Sequence, residues 1–177
     1  MTWTLINPVR RLTQDPEKIL RPFIKEGAAV LDVGCGPGYF TTAMAGLVGS
    51  GGRVIAADIQ EWMLKRARRR VEKAGLADRV NFHLSRPVSL DLPPDGADFA
   101  LAFWMAHEVP DKERLFAEIL AALVPGGILL LVEPRMHVGA PAFAAIVGAA
   151  ARSGFLPAGT IPIRLSRAVL LRKPTSR

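Results

Sequence analysis

Ten residues decide the fold of this 177-residue chain: Val30-Leu31-Asp32-Val33-Gly34-Cys35-Gly36-Pro37-Gly38-Tyr39. They begin as an apolar run with one acid, continue as a glycine-rich turn, and end where a helix would start. Glycine lets the backbone turn sharply and approach a ligand closely, and a helix N-terminus presents free N–H groups. The stretch therefore predicts a strand, a ligand-binding turn and a helix in immediate succession.

The spacing of the glycines separates this turn from other nucleotide-binding loops. Nicotinamide-binding turns follow the pattern G-x-G-x-x-G, whereas this one has G-x-G-x-G with Asp32 two residues ahead of Gly34. No Lys-Ser/Thr follows to make a phosphate loop. An acid here would repel a pyrophosphate but suits a ligand with an amino group and a sulfonium. Asp58, at the end of the next apolar run, can accept hydrogen bonds from both ribose hydroxyls. The alternative for either acid is a helix cap or a turn.

The other apolar runs alternate between strand and helix lengths, which predicts an α/β sheet with crossover helices. Asp15-Pro16-Glu17 starts a helix that runs to about Lys25. Strands are predicted at 28–33, 53–57, 79–84, 97–103 and 128–132, helices at 37–48, 60–74, 111–123 and 140–152, an irregular loop or single turn at 85–96, a turn at 125–127, and a closing strand pair at 155–163 and 167–171. No linker or repeat interrupts this order, so we expect a single domain over residues 1–177.

Composition limits the classes of protein that the chain can represent. Half of the residues are apolar and the mean hydropathy is +0.23, which favours an apolar pocket or a subunit interface. The longest uncharged stretch, residues 33–52, is too rich in glycine for a membrane-spanning helix, and residues 1–9 lack the order of a signal peptide. With a lone cysteine, Cys35, neither an internal disulfide nor a cysteine-based zinc site is possible. We therefore expect no membrane span and a cytoplasmic protein.

The charge balance points to an anionic partner without identifying one. The formal net charge is +7, and the densest basic cluster lies at residues 65–70 in a predicted helix. A solvated helix face is the simpler interpretation of this cluster. Nucleic acid is the alternative.

The motifs taken together resemble those of the class I S-adenosylmethionine-dependent methyltransferases, particularly the branch with the ubiquinone/menaquinone-type and other small-molecule enzymes. The similar segments, in the family's order, are residues 31–38, 54–58, 94–99, 107–111, 123–127 and 133–134. The resemblance implies a Rossmann-like, doubly wound sheet of seven mostly parallel strands with helices on both faces. Its last strand would be antiparallel and inserted between strands five and six. Residues 1–26 would be a lid and helix, 27–134 the cofactor-binding core, and 135–177 a helix and the closing strands.

The resemblance also implies S-adenosyl-L-methionine as cofactor, S-adenosyl-L-homocysteine as product, and a set of binding residues. These are Asp32, Gly34, Cys35, Gly36, Gly38, Asp58, Ile59, Met63, Ser85 and Phe103. The first two glycines would pass under the methionine part, whose amino group Asp32 would hold, while Asp58 would bind the ribose. Ile59 and Met63 would flank the adenine, and Phe103 would present its backbone to the methionine end. The family commonly has an acid after strand three for the adenine amino group. Ser85 or a backbone carbonyl replaces it here.

His107 and Glu108 are the candidate catalytic residues, because they follow strand four, where the family places acceptor-facing groups. Histidine can accept a proton at neutral pH. Capping or bracing of the loop is the alternative. His137 follows strand five, so three groups could converge on a metal, but their spacing does not require one and we expect none. His83 is expected to be structural, and a nucleophilic Cys35 is not expected.

The acceptor is expected to be a small molecule. We expect the lid to be residues 1–14, with Trp3, Asn7, Arg10 and Arg11. So short a lid implies either an open site for a large acceptor or a pocket that a second subunit completes in a homodimer. Trp3, Trp104 and Met105 are candidates for an apolar acceptor pocket, and core packing is the alternative for Trp104.

Three rival functions remain at this point. The charge favours an RNA or DNA methyltransferase, but strand four exits as Phe103-Trp104-Met105-Ala106 and lacks the Asn/Asp-Pro-Pro-aromatic loop that resembles base-amino methylases. A non-catalytic cofactor-binding partner subunit would explain the short lid and the missing adenine acid. A nicotinamide oxidoreductase is disfavoured by the glycine spacing.

Overall fold

The computed structural model describes residues 14–94 and 96–175, which form two compact units. The first unit extends to Leu84, and the second begins at Ser85. The predicted lid residues Trp3, Asn7, Arg10 and Arg11, and Asp95 of the fourth-strand motif, lie outside the described residues. The single domain over the whole chain stays a prediction.

Within residues 14–84, the first unit contains three parallel strands and three helices. The strands are β1 (Ala29–Val33), β2 (Arg53–Asp58) and β3 (Val80–Leu84), and the helices are α1 (Pro16–Leu20), α2 (Tyr39–Leu47) and α3 (Glu61–Lys73), with a 3-10 turn at Ala77–Arg79. β2 pairs in parallel with β1 and with β3, so that Val33 lies opposite Ala57 and Asp58 opposite Leu84. Every residue of β1 is buried, as expected for a strand covered on both faces.

The described part of the second unit, residues 85–94 and 96–175, contains four strands and two helices. The strands are β4 (Ala97–Phe103), β5 (Leu123–Pro134), β6 (Leu156–Gly159) and β7 (Ser166–Arg172), and the helices are α4 (Lys112–Ala122) and α5 (Ala140–Arg152), with a 3-10 turn at Ala106–Glu108. β5 pairs in parallel with β4, while β7 is antiparallel to both β5 and β6. Glu133 of β5 lies opposite Arg167 of β7.

The order of the seven strands confirms the predicted fold class. That order is β3-β2-β1-β4-β5-β7-β6, with the last strand of the chain antiparallel between strands five and six. β4 and α5 have the predicted boundaries, and no helix forms over residues 85–94. Among the described residues, no helix combines the length and apolar character that a membrane crossing needs.

The first helix is shorter than predicted because a proline interrupts it. Asp15 caps α1 as predicted, with its side chain accepting the backbone N–H groups of Glu17 and Lys18. The helix ends at Leu20 and not near Lys25. Proline at position 22 has no N–H to donate back into the helix, so the prediction of the C-terminal end was wrong.

Two glycine-containing segments also differ from the prediction. α2 begins at Tyr39 and not at Pro37, because Gly38 adopts a left-handed conformation with φ of 78°. The prediction that a turn at 125–127 precedes the strand was wrong, because β5 already begins at Leu123, which lies opposite Ala97. The register shifts after this pair, and Gly126 accommodates the irregularity with φ of 81°.

We predict that Gly38→Ala destabilises the protein by about 2 kcal/mol or more. Its Cβ would meet the Cα and Cβ atoms of Ala67 on α3 at 2.8 Å, and alanine rarely adopts the left-handed backbone. The matched control is Gly46→Ala in α2, where an added Cβ meets no atom within 4 Å. The control should stabilise by about 0.5–1 kcal/mol. Urea denaturation measures both, and equal effects would contradict this account of the turn.

Candidate functional site

The glycine loop (residues 34–38) joins β1 to α2 through backbone that favours glycine. Gly34, Gly36 and Gly38 have φ of 66°, 53° and 78°. The N–H groups of Gly34 and Cys35 both donate to the carbonyl of Ala57 in β2, at 2.8 and 3.0 Å. The neighbouring strand therefore holds the start of the loop in place.

Asp58 connects the glycine loop to the start of α3. Its Oδ2 accepts the N–H of Gly36 and its Oδ1 accepts the N–H of Gln60, both at 2.8 Å. Burial raises the pKa of the Asp58 carboxyl, and the backbone N–H groups of Gln60, Gly36 and Ile59 oppose the rise. Each carboxylate oxygen has a second lone pair, so Asp58 can also accept hydrogen bonds from a ligand.

The first unit leaves room for a ligand beside this carboxylate. A Cβ built on Gly36 would meet no atom within 4 Å, so one side of the loop is open. Two apolar side chains at the ends of neighbouring strands are unusually exposed, Ile59 at 55% and Leu84 at 53%. The open side of the loop, the Asp58 carboxylate and the exposed apolar side chains of Ile59 and Leu84 together fit a nucleoside ligand.

Leu84 was not singled out from the sequence. The only indication of it in the sequence was its position as the last residue of β3, the strand that pairs with the strand of Asp58. Met63, predicted to flank the adenine with Ile59, is buried in α3. Its contact with the adenine stays a prediction.

Asp32 is buried beneath the loop. Its Oδ2 accepts the hydroxyl of Thr41, which lies on α2, at 2.6 Å. This hydrogen bond joins β1 to α2 and gives Asp32 a structural role. Its contact with the amino group of a ligand stays a prediction.

Cys35 has the environment of an inert thiol. Its side chain is buried, and burial raises its pKa, as do the carboxylates of Asp32 and Asp58. A nucleophilic cysteine needs the opposite, a lowered pKa that favours the thiolate. The thiol therefore stays protonated, in agreement with the expectation that Cys35 is not a nucleophile.

The remaining predicted cofactor residues, Ser85 and Phe103, belong to the second unit. Both are buried, and the Ser85 hydroxyl donates to the carbonyl of Leu90 at 3.3 Å. Phe103 is the last residue of β4 and lies opposite Val132 of β5. Their contacts with a cofactor stay predictions.

His107 forms a close pair with Glu133 in the second unit. His107 Nδ1 lies 2.5 Å from Glu133 Oε2, and its backbone N–H donates to Glu133 Oε1 at 3.2 Å. Glu133 is fully buried near the end of β5, and burial raises its pKa while His107 opposes the rise. In the tautomer that carries its proton on Nδ1, this nitrogen donates to the carboxylate and Nε2 can accept a proton. The pair therefore has the arrangement of an oriented general base.

Glu133 is the functional candidate that sequence reasoning missed. It is 26 residues from His107, and the only signal was its place in the fifth-strand exit motif. Glu108, the second predicted catalytic residue, does not form a close pair with His107 as Glu133 does. Its side chain is 75% exposed, and its Oε1 lies 3.9 Å from His107 Nε2, which is too long for a hydrogen bond.

The other predicted histidine positions do not join this pair. His137 is exposed in a turn after β5, where its N–H donates to the carbonyl of Pro134. His83 lies within β3 of the first unit. Across residues 14–94 and 96–175, no three His, Cys, Asp or Glu residues are grouped to hold a metal ion.

A cavity of about 630 Å³ opens in the second unit between β7 and the chain that precedes it. Its lining combines apolar side chains with arginines and includes Phe143, Ile161, Ile163, Leu165, Arg135 and Arg167. Ser166, which also lines it, accepts a hydrogen bond from Trp104 Nε1 at 3.0 Å. Its volume falls within the range of small-molecule pockets, roughly 300–1,000 Å³.

The fold, the glycine loop and the acid at the end of β2 are those of a class I S-adenosyl-L-methionine-dependent methyltransferase. A family model described as a methyltransferase domain matches residues 24–152, more than half of the chain, and the chain belongs to this family. The members of this class use S-adenosyl-L-methionine as the methyl donor, which confirms the predicted cofactor.

Three known proteins illustrate the similarity. A ubiquinone/menaquinone biosynthesis C-methyltransferase of Marinomonas sp. is 36% identical over 110 residues, which are 62% of this chain and 44% of that enzyme. A demethylmenaquinone methyltransferase of Symbiobacterium thermophilum is 32% identical over 66% of this chain and 47% of its own. A SAM-dependent methyltransferase structure from Aquifex aeolicus has a TM-score of 0.85 at 26% identity, over 97% of this chain and 96% of that one. The chain thus matches less than half of the length of these curated relatives.

We predict that Asp58→Ala weakens the binding of S-adenosyl-L-homocysteine at least tenfold, about 1.4 kcal/mol. The variant loses both the ribose acceptor and the hydrogen bond that fixes Gly36. Calorimetric titration measures the affinity. The control is Glu72→Ala, an exposed acid of α3 whose removal should leave the affinity unchanged. Wild-type affinity in Asp58→Ala would contradict the ribose assignment.

The affinity should also depend on pH in a defined direction. Burial raises the pKa of Asp58, and the ionised form is the better acceptor for ribose hydroxyls. Binding should therefore weaken as the pH falls through the raised pKa, at a higher pH than an unperturbed aspartate (pKa ~3.9) would give. Titrations of the wild type and Asp58→Asn across this range measure the effect. The same pH dependence in both proteins would contradict it.

Proposed function

We propose that this chain transfers a methyl group from S-adenosyl-L-methionine to a ring carbon of a small hydroquinone-type acceptor. The observation that carries the proposal is the His107–Glu133 pair, a general base oriented by a buried carboxylate. The names of the curated relatives, which refer to C-methylation in quinone biosynthesis, support the acceptor class.

The first unit would hold the cofactor, which supplies an electrophilic methyl group on a sulfonium. Asp58 would accept the ribose hydroxyls, and the open side of Gly36 would admit the methionine part. Ile59 and Leu84 would cover the adenine with apolar surface. Fixing the methyl donor in this way supplies proximity and orientation, which are worth roughly 7–11 kcal/mol in well-aligned reactions.

His107 would activate the acceptor. Carbon methylation of a hydroquinone needs electron density on the ring, and removal of a hydroxyl proton supplies it. Nε2 of His107 would take that proton while Glu133 stabilises the resulting imidazolium through Nδ1. The ring carbon would then bond to the methyl group as the methyl–sulfonium bond breaks and S-adenosyl-L-homocysteine leaves. Loss of the proton on that carbon to solvent would restore the aromatic ring. Glu133 would thus be a positioning residue and His107 the catalytic one. Glu108 is proposed as a nearby charge that acts on Nε2 from 3.9 Å.

The cavity of the second unit supports an acceptor that combines apolar and oxygen-bearing parts. Phe143, Ile161 and Leu165 would contact a ring or an aliphatic tail. Arg167, directly opposite Glu133 across β5 and β7, is suited to a phenolic oxygen. A homodimer and a cytoplasmic location stay predictions.

The proposed function is tested by incubating the protein with S-adenosyl-L-methionine and 1,4-naphthohydroquinone under reducing conditions. We expect one methyl group to be added, with an NMR signal for a methyl bonded to ring carbon. Incorporation as a methoxy group would contradict carbon transfer. Cofactor binding without methylation of any hydroquinone tested would favour the non-catalytic partner subunit.

We predict that His107→Ala lowers kcat about a hundredfold or more, because a positioned general base contributes that much. Glu133→Gln should lower kcat in the same direction, since the amide keeps the shape of the side chain but not its charge. Affinity for S-adenosyl-L-homocysteine serves as the control for folding and should stay near wild type. The midpoint of thermal unfolding should fall in His107→Ala, because the buried Glu133 carboxylate loses its partner. Unchanged kcat in His107→Ala would leave this histidine with a bracing role only.

A further inference from the structure

A basic groove lies on the first unit between α3 and the glycine loop. Its volume is about 460 Å³, and it is lined by Pro37 and four cationic residues: Arg66, Arg69, Arg70 and Lys73. We call it the α3 groove. No carboxylate is part of its lining. Within residues 14–94 and 96–175, none of the four cations forms an ion pair, although Lys65 of the same helix pairs with Glu61.

The helix fixes these four charges on one face. Positions 66, 69, 70 and 73 are three or four residues apart, so their side chains are neighbours on the helix surface. Arg70 is also held from outside the helix, because its Nε donates to the carbonyl of Pro37 at 3.0 Å. Like charges at this spacing repel one another. An anion in the groove would attract all four cations and so offset their mutual repulsion.

We propose that the α3 groove binds the phosphate backbone of a single-stranded nucleic acid. Arg66 and Lys73 are seven residues apart, which is about 10 Å along the helix axis. Successive phosphates of a strand can contact both ends of the groove at once. Three of the four cations are arginines, whose planar guanidinium groups bind phosphate oxygens bidentately. The cations follow one another along a single helix, which suits a chain of phosphates.

An exposed aromatic ring continues the groove toward the N-terminus of α3. Trp62 lies one turn before Arg66 and is 41% exposed, with the Arg66 guanidinium 5.1 Å from its ring centroid. Proteins that bind single strands combine a basic groove for the backbone with aromatic rings on which bases stack. The Trp62 ring is positioned for this second contact. The net charge of +7 would favour the encounter.

The test uses the whole chain and a fluorescein-labelled oligouridylate of roughly 15 nucleotides, a length that matches known single-strand site sizes. Fluorescence anisotropy should show binding that weakens with salt, with a log–log slope between about −2 and −3 for three to four phosphate contacts. Arg66→Gln/Arg69→Gln should bind about tenfold more weakly. Arg70 is left unchanged so that its contact with Pro37, and hence the glycine loop, is kept.

The matched control is Lys18→Gln/Lys25→Gln, which removes the same charge from exposed positions of the first unit outside the groove. It should bind the oligonucleotide within about twofold of wild type. Both variants should keep wild-type affinity for S-adenosyl-L-homocysteine, which shows that they are folded. An equal loss in both variants would overturn the assignment, because it would reflect net charge alone.

Three other results would also overturn it. The first is no binding of the oligonucleotide at low salt. The second is its displacement by pyrophosphate at comparable concentration, which would indicate a small phosphate ligand. The third is binding to phosphatidylglycerol vesicles but not to the oligonucleotide, which would indicate a membrane surface.

Trp62 gives an independent readout of base stacking. Trp62→Ala should weaken oligonucleotide binding about tenfold, whereas Trp62→Phe should keep most of the affinity because it retains a ring. An abasic oligonucleotide, which has phosphates but no bases, should bind the wild type and Trp62→Ala equally. If Trp62→Ala bound the oligouridylate like the wild type, the single-strand assignment would be overturned.

Discussion

The geometry of the glycine loop and of the start of α3 depends on two hydrogen bonds that the Asp58 carboxylate accepts. One comes from Gly36 and the other from Gln60, so a single side chain fixes both the turn after β1 and the start of α3. The carboxylate is buried, and its raised pKa reflects the resulting desolvation. These backbone N–H groups make the buried charge tolerable while its remaining lone pairs stay available to a ligand.

A second buried carboxylate organises the other unit in a comparable way. Glu133 is fully buried in β5 and binds both the ring and the backbone N–H of His107. A charge in such a place is costly unless it is paired, and here its partner is Nδ1 of His107. Each unit thus has an acid at the end of a central strand that orients a neighbouring turn.

Most of the fold and part of the candidate site could be predicted from local sequence. β1, the glycine loop and α2 follow from ten adjacent residues, because their conformation depends on glycine and on buried apolar side chains. The prediction failed where a neighbour or a distant partner decides the structure. Proline at position 22 ends α1, and the pairing of Leu123 with Ala97 extends β5 through a segment that has the composition of a turn.

In the candidate site, too, local sequence predicted individual residues but not their distant partners. Asp58 was predicted from its distance to the glycines, while its hydrogen bond to Gly36 depends on how β1 and β2 pair. Glu133 was missed as the partner of His107, because nothing in the sequence brings two residues so far apart together. The basic residues of α3 were noted as a cluster, but the absence of acids from the lining of their groove is visible only in the structure.

The central claim is that the glycine loop and Asp58 form a binding site for S-adenosyl-L-methionine. Calorimetric titration of the purified wild-type protein with S-adenosyl-L-homocysteine tests it most directly. The account predicts one binding site per chain with a Kd on the order of micromolar, about −8 kcal/mol. No heat of binding at ligand concentrations on the order of millimolar, where a free energy of only about −4 kcal/mol would suffice, would contradict it.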